Sequence, residues 1–302
     1  MHNNQQIIGI DIGGTSIRIG AANQTGQLSA FEKVPQDTIL YDDTPNGLIN
    51  FITDYIARHK ATFKAAGIVL AFPATLNKER TMVMSAPNIK GVNEKPIKAI
   101  LEDALSLPIY LQKDVNTLLY YDLMRFGLEK EEVVIGCYVG TGLGSAAYVN
   151  GKILTGCNGA AGELGHIPVW GCTEPCGCGN IGCAEGIVAG KYLAKLCREN
   201  FPNTPIGQLF IEQAQHPLLQ EYIKVLAAVI TTEINILDPQ VVVLGGGVIS
   251  MENFPKHELE KNIRMMARKP FPAECLRFIY SDNDGENGVI GSVIFGWKEL
   301  LK

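Results

Sequence analysis

Short apolar runs that end in glycine alternate along this chain with segments whose apolar residues recur every three or four positions. Near the start, "IIGI" (7–10) is apolar except for its glycine, as a buried strand requires. "SIRIGAAN" (16–23), which follows a Gly-Gly turn, predicts its hairpin partner, and "QTGQ" (24–27) predicts the next turn. In "NGLINFITDYIARH", Leu48, Ile49, Ile52, Tyr55 and Ile56 fall on one helical face. "GIVLAF" (67–72) predicts another buried strand, stopped by Pro73, and Ile97, Ile100, Leu101, Ala104 and Leu105 form a second helical stripe. Strand, helix, strand, helix with short connections is the order of an α/β protein.

The pattern repeats itself. "IIGIDIGGTSIRIGAANQTGQL", from Ile7, and "VIGCYVGTGLGSAAYVNGKIL", from Val134, share one plan: apolar strand, glycine-rich turn, second strand, Asn- or Gln-containing turn, third segment. Such duplication predicts two α/β lobes, each opening with a hairpin whose glycine turn can face a common cleft.

Composition narrows the class. No apolar run approaches the roughly eighteen residues of a membrane span, and a net charge of −5 without any Lys/Arg run gives no nucleic-acid surface. The start "MHNNQQIIGI" lacks the basic and long apolar stretches of a secretory leader, so a cytoplasmic protein is expected. A chain of 302 residues also buries enough core to make a disulfide scaffold an unneeded explanation of its eight cysteines.

Three strand-to-glycine junctions carry candidate chemistry. "DIGGT", Asp11 to Thr15, places a carboxylate at a strand end, then Gly13, Gly14 and the hydroxyl of Thr15. Glycines let backbone N–H groups approach phosphate oxygens, and the carboxylate can hold hydrated Mg²⁺ beside them. Alone, the motif reads equally well as an ordinary hairpin turn. "GTGLG" supplies a matching second loop with Gly140, Thr141, Gly142 and Gly144, and "LGGGV" adds Gly245, Gly246 and Gly247 after the strand "QVVVL". There is no GxxxxGK[ST] run, and "GTGLG" lacks the flanking pattern of a Rossmann fingerprint.

This arrangement resembles the superfamily of sugar kinases, hexokinases and actin, in which ATP lies between duplicated lobes. "GELGH" followed by C-G-C-x4-C and Glu is similar to the signature of the ROK family, bacterial sugar kinases and sugar-responsive repressors. "DIGGT", "KDVN", "GTGLG", "GELGHIPV", "CGCGNIGCAE" and "GGGV" all occur in that family's order. The resemblance implies a two-lobed, actin-like ATPase and ribonuclease H-like (hexokinase-type) α/β fold. The lobe boundary is expected near 113, giving a small lobe over 1–113 and a large one over 114–286. "ENGVIGSVIFGWKELL" is expected to be a helix, about 287–302, that returns to the first lobe.

The resemblance also answers why half of the cysteines lie between 172 and 183. His166, Cys176, Cys178 and Cys183 make a Cys₃His set, a common environment of structural Zn²⁺, with Gly177, Gly179 and Gly182 permitting a tight loop. Cys172 fits no ligand position of the family and is expected to be a nearby free thiol. Cys137, Cys157, Cys197 and Cys275 are expected to be small buried hydrophobes. Glu163 and Glu185, with His166, would accept hydrogen bonds from sugar hydroxyls, and Asn88 is a weaker candidate for the sugar.

By the same resemblance Asp114 in "YLQKDVNTLL" is the base that takes the sugar hydroxyl proton. Read without it, Asp114 serves equally as a helix N-cap. Where ROK glucokinases typically carry Asn before this aspartate, the chain has Lys113, which only donates hydrogen bonds. Lys113, "FPA" at 72–74 and "PNI" at 87–89 resemble the branch acting on D-allose, the C3 epimer of glucose; a solvent-facing Lys113 without a substrate role is the plain alternative. The expectation is an ATP- and Mg²⁺-dependent D-allose 6-kinase. Glucose, fructose and N-acetylmannosamine are the alternative substrates, and a repressor or a non-catalytic sugar-binding protein is the alternative class. The first strand starts by residue 7, which leaves no room for a repressor's helix-turn-helix. Partners expected are the sugar and, through the large lobe, a second copy.

Overall fold

The computed structural model describes residues 4–41, 43–87, 89–282 and 284–302, and the chain folds as two compact units. The first comprises Met1–Gly127, Thr155–Ala161 and Asp284–Lys302; the second comprises Leu128–Leu154 and Gly162–Asn283.

In the first unit the chain runs β1 (Gln5–Ile12), β2 (Ser16–Ala22), β3 (Leu28–Pro35), α1 (Thr44–His59), β4 (Lys64–Phe72), β5 (Thr75–Leu76), β6 (Val83–Ser85), α2 (Ile97–Leu105), β7 (Ile109–Lys113) and α3 (Asp114–Phe126). The main sheet has the order β3-β2-β1-β4-β7. β1, β2 and β3 pair antiparallel, and β4 and β7 add in parallel to β1. Strands β1 and β4 are apolar because both faces are covered, so they show runs of isoleucine, leucine and valine instead of alternation. Leu48, Ile52 and Tyr55 of α1 are fully buried against one face, and Pro45 in the first turn suits a helix start.

The second unit contains β8 (Val133–Val139), β9 (Leu143–Val149), β10 (Lys152–Ile153), α4 (Glu185–Val188), α5 (Gly190–Asn200), α6 (Leu209–Glu212), α7 (Pro217–Leu237), β11 (Val241–Gly245), α8 (Lys256–Met266) and β12 (Arg277–Tyr280). Its sheet order, β10-β9-β8-β11-β12, repeats the first with the same strand senses. The repeat read from the chain is therefore a repeat of topology. Leu219, Ile223, Leu226, Ile230 and Ile234 line the buried face of α7 at helical spacing and pack with Val242 and Leu244 in one core.

Helix α9 (Asn287–Leu300) ends the chain and belongs to the first unit. Its glycines explain why it lies so close: a Cβ at Gly291 would overlap the Thr117 carbonyl of α3, and one at Gly296 would come 2.7 Å from Val69 of β4. Val293, Phe295 and Trp297 then seal a cluster with Ile7, Ala22 and Val69, each large side chain contributing about 1.5–3 kcal/mol by leaving water. This packing moves the unit boundary. Helix α3 packs on α9 and belongs with the first unit, so the division falls after Gly127 and not near 113.

The cysteines also need a correction. Cys137 and Cys197 are buried as expected, but Cys157 and Cys275 are exposed. Each of those two lies in irregular chain outside the strands and helices, and Cys275 is exposed although Ala273 and Leu276 beside it belong to the core. No described helix is long and apolar enough to cross a membrane.

Candidate active site and metal centre

In the first unit Asp11 is the next-to-last residue of β1, and the turn to β2 is closed by the Gly13 N–H donating to the Ser16 carbonyl at 2.9 Å. Across the hairpin Asp11 pairs with Arg18, whose Nη1 lies 3.0 Å from Asp11 Oδ2. Burial raises the Asp11 carboxyl above its usual value, and the Arg18 charge and hydrogen bond pull in the opposite direction. A Cβ at Gly288 would lie 2.6 Å from Asp11 Cγ, so α9 makes room for this carboxylate with a glycine. Gly14 and Thr15 are exposed, and a Cβ at Gly14 would meet nothing within 4 Å. The backbone there is open to a ligand.

The junction of β7 and α3 carries the next group. Asp114, half-buried, is the first residue of α3, and its Oδ1 accepts the Val115 N–H at 2.8 Å, while Thr117 Oγ1 donates to its carbonyl at 2.7 Å. Lys113 is not solvent-facing. It is only 7% exposed, and its Nζ donates to the Ala161 carbonyl at 3.2 Å. Behind both, buried Gln112 accepts from the Lys113 N–H at 3.0 Å and from Asn116 Nδ2 at 2.8 Å, while its own Nε2 has no partner. Gln112 and Arg18 were missed by sequence reasoning. Gln112 did give a signal, an amide beside Lys113 at the C-terminal end of a buried strand. Arg18 gave one too, a cation within an apolar hairpin strand. Asn88 lies outside the described residues.

In the second unit the turn from β8 to β9 runs over Gly140–Gly142, closed by the Gly140 N–H donating to the Gly142 carbonyl at 3.0 Å. Glu185 supplies this loop with a carboxylate, its Oε2 accepting the Leu143 N–H at 3.1 Å. The third junction sits against the second. Gly246 adopts φ +91°, a Cβ there would lie 2.6 Å from the Val139 carbonyl, and Val248 N–H donates to that same carbonyl at 2.9 Å. Gly140 and Gly247 face open space.

His166, Cys176, Cys178 and Cys183 converge, with one ligand atom from each lying within 4.8 Å of all the others. Cys176 Sγ is 3.5 Å from His166 Nδ1, and Cys178 Sγ is 3.7 Å from Cys183 Sγ. A tetrahedral zinc with ordinary bond lengths puts two sulfurs about 3.8 Å apart, and a sulfur and a nitrogen about 3.6 Å apart. These two spacings match zinc, and the four donors are of the type that zinc takes. His166 Nε2 faces Glu163 Oε2 at 3.7 Å, so the ring nitrogen not directed at Cys176 has a carboxylate beside it. Burial pushes the Cys183 thiol up to about 12, with Cys178 and Cys176 adding to the shift. A cation at the centre would reverse it, because a metal-bound sulfur is a thiolate. Left-handed φ at Gly179 and Gly182 turns the loop, and Cys172 stays outside the four.

The profile of the ROK family matches residues 7–298. The chain belongs to the ROK family. Among relatives of this ROK protein, a glucokinase of Streptomyces coelicolor is 29% identical over 198 residues, which cover 66% of this chain and 61% of that enzyme. An N-acetyl-D-glucosamine kinase of Vibrio cholerae is 28% identical over 96% of this chain and 99% of its own length. The crystal structure of a ROK hexokinase from Thermus thermophilus superposes with a TM-score of 0.79 at 25% identity, over 98% of this chain and 99% of that one. The ROK protein thus has the duplicated, actin-like hexokinase fold, as the resemblance implied.

Proposed function

We propose that this ROK protein is an ATP- and Mg²⁺-dependent hexose kinase that phosphorylates the 6-hydroxyl of D-allose. The coarser part, a sugar phosphotransferase, rests on family membership and on relatives named as glucokinase and N-acetyl-D-glucosamine kinase. One observation carries the finer part. Lys113 is buried beside Asp114 and anchored on Ala161, so the residue before the proposed base is a fixed donor and not a solvated chain. A site that presents a donor where glucose-specific relatives present an amide selects a different hydroxyl arrangement.

In this reading Asp114 takes the proton of the sugar 6-hydroxyl as its oxygen forms a bond to the γ-phosphorus, and the bond from that phosphorus to the bridging oxygen breaks to release ADP. Gly13, Gly14, Thr15, Gly140, Thr141, Gly142 and Gly144 would offer backbone and hydroxyl donors to the phosphates, and Gly245, Gly246 and Gly247 would back the nucleoside. Asp11 would hold Mg²⁺, which supplies charge neutralisation at the phosphates. Glu163, His166 and Glu185 would orient the sugar, with Asn88 a further candidate. His166, Cys176, Cys178 and Cys183 would hold zinc, which supplies a rigid loop. We place the protein in the cytoplasm, as a homodimer.

The test is ADP release with ATP and Mg²⁺ across allose, glucose, mannose, fructose, N-acetylmannosamine and N-acetylglucosamine. A preference for allose in kcat/KM is expected, and Lys113→Asn should shift the allose-to-glucose ratio toward glucose by about ten-fold. An unchanged ratio makes Lys113 a bystander, and no turnover on any sugar removes the kinase reading. N-acetyl-D-glucosamine is the second reading, favoured by the Vibrio relative that matches almost end to end.

A further inference from the structure

The segment that follows the last cysteine of the metal centre holds the second glycine loop from two directions. Glu185 stands two residues after Cys183, and its Oε2 accepts the Leu143 N–H at 3.1 Å. A Cβ at Gly142 would overlap that same oxygen, so glycine at 142 is the condition for the carboxylate to reach the loop. Farther along the same segment, the Gly190 N–H donates to the Gly140 carbonyl at 2.8 Å and the Lys191 N–H to the Thr141 carbonyl at 3.3 Å. A Cβ at Gly190 would come 2.6 Å from the Gly140 oxygen, a second close approach that only glycine permits. Toward the metal centre, the other oxygen of Glu185 lies 4.0 Å from Cys176 Sγ. Residues 185, 190 and 191 therefore hydrogen-bond the loop at 143, 140 and 141, and residue 185 also touches the cysteine cluster.

We propose that Glu185 is a positioning residue for the second glycine loop, a strut through which the Cys₃His centre sets the shape of Gly140–Leu143. The inference rests on the kinase reading only for what the loop binds; the strut itself is a relation within the second unit. Glu185 would then act on the nucleotide side as well as on the sugar. A charged carboxylate accepting a backbone N–H is among the stronger hydrogen bonds a protein makes, and it fixes an amide that would otherwise be free to turn away from a phosphate. Holding the strut needs Cys176 and Cys183 in place, which is what zinc at the four ligands would secure.

The experiment uses the full chain, zinc-loaded and after removal of zinc with a chelator, together with Glu185→Ala and Glu185→Gln in the loaded state. Two quantities are read without sugar: hydrogen exchange of the amides at 140–144, and the Kd for the Mg²⁺ complex of a non-hydrolysable ATP analogue. In Glu185→Ala and in the stripped protein, protection of the Leu143 amide should fall about ten-fold or more, with a matching rise in Kd. Glu185→Gln keeps a side-chain carbonyl in the same place and should restore most of the Leu143 protection. Unchanged Leu143 exchange in Glu185→Ala overturns the strut, as does a loosening spread evenly through β8 and β9 after zinc removal. If no form binds the nucleotide analogue, the kinase reading fails, and the exchange data still decide the strut.

Discussion

The two units solve the same problem in opposite ways. In the first, the strand brings the carboxylate and a helix brings the glycine that makes room for it: Asp11 of β1 lodges against Gly288 of α9. In the second, the loop brings the glycine and a helix brings the carboxylate, Gly142 against Glu185 of α4. Sheet order and strand senses are the same in both, yet the position in the second copy that matches Asp11 is Tyr138, whose ring packs over Gly136 and Gly245. The hairpin is common to both units and its charge is not: in the first unit the carboxylate lies on the hairpin strand with a partner cation, Arg18, in the same hairpin, and in the second it reaches the loop from α4.

Asp114, the proposed base, also belongs to the first unit, and the largest effect is expected there. Asp114→Asn is expected to retain nucleotide and sugar binding but lose about 10²- to 10⁴-fold in kcat, the ordinary range for a general base. Single-turnover rates with parent-like Kd values would establish it; near-normal turnover would remove Asp114 as the base. Next in size is Gly288→Ala. The added Cβ would meet Asp11 at 2.6–3.0 Å, so either the carboxylate or α9 must move, at a cost of about 1–3 kcal/mol. Urea midpoints should fall and the Mg²⁺ concentration for half-maximal activity should rise. A variant as stable as the parent, with an unchanged Mg²⁺ requirement, would break the parallel between the two glycine–carboxylate pairs.

Much of this was legible because the signals were local. Apolar strands ending on glycine, the Cys₃His spacing and the duplicated plan each lie within a few residues of sequence, and the sheets and the metal cluster appear where those signals stand. What was not legible depends on partners distant in the chain. The placement of α3 in the first unit is decided by Gly291 of α9 approaching Thr117, a contact no window around residue 113 contains. Lys113 is buried because the Ala161 carbonyl receives it, and the anchoring of Glu185 on the second loop depends on Gly142. Exposure of Cys157 and Cys275 went unread for a related reason: cysteine is apolar by type, and only the surrounding chain decides whether a core reaches it.

The smallest effect separates two carboxylates of the first unit that differ in surroundings. For Glu32 of β3, burial raises the carboxyl, but hydrogen bonds and charges from Arg58 and His59, the latter at 2.7 Å, outweigh it and hold the group below 4.5. For Asp11 burial wins over a single arginine, and the carboxyl stands above 3.8. The two therefore contribute to stability with opposite slopes in pH. The Glu32 contribution is fully present above 4.5 and is lost as pH falls through its lowered folded value. The Asp11 contribution is fully present below 3.8 and is lost as pH rises through its raised folded value. Glu32→Gln should cost less than about 1 kcal/mol near neutral pH, because solvent screens the pair, and its deficit should shrink on acidification. Asp11→Asn should move the other way, improving relative to the parent as pH rises from about 4. Urea midpoints of the three proteins between about pH 3 and pH 7 read both slopes, and parallel curves would mean that Arg18 balances the burial of Asp11 as fully as Arg58 and His59 balance that of Glu32.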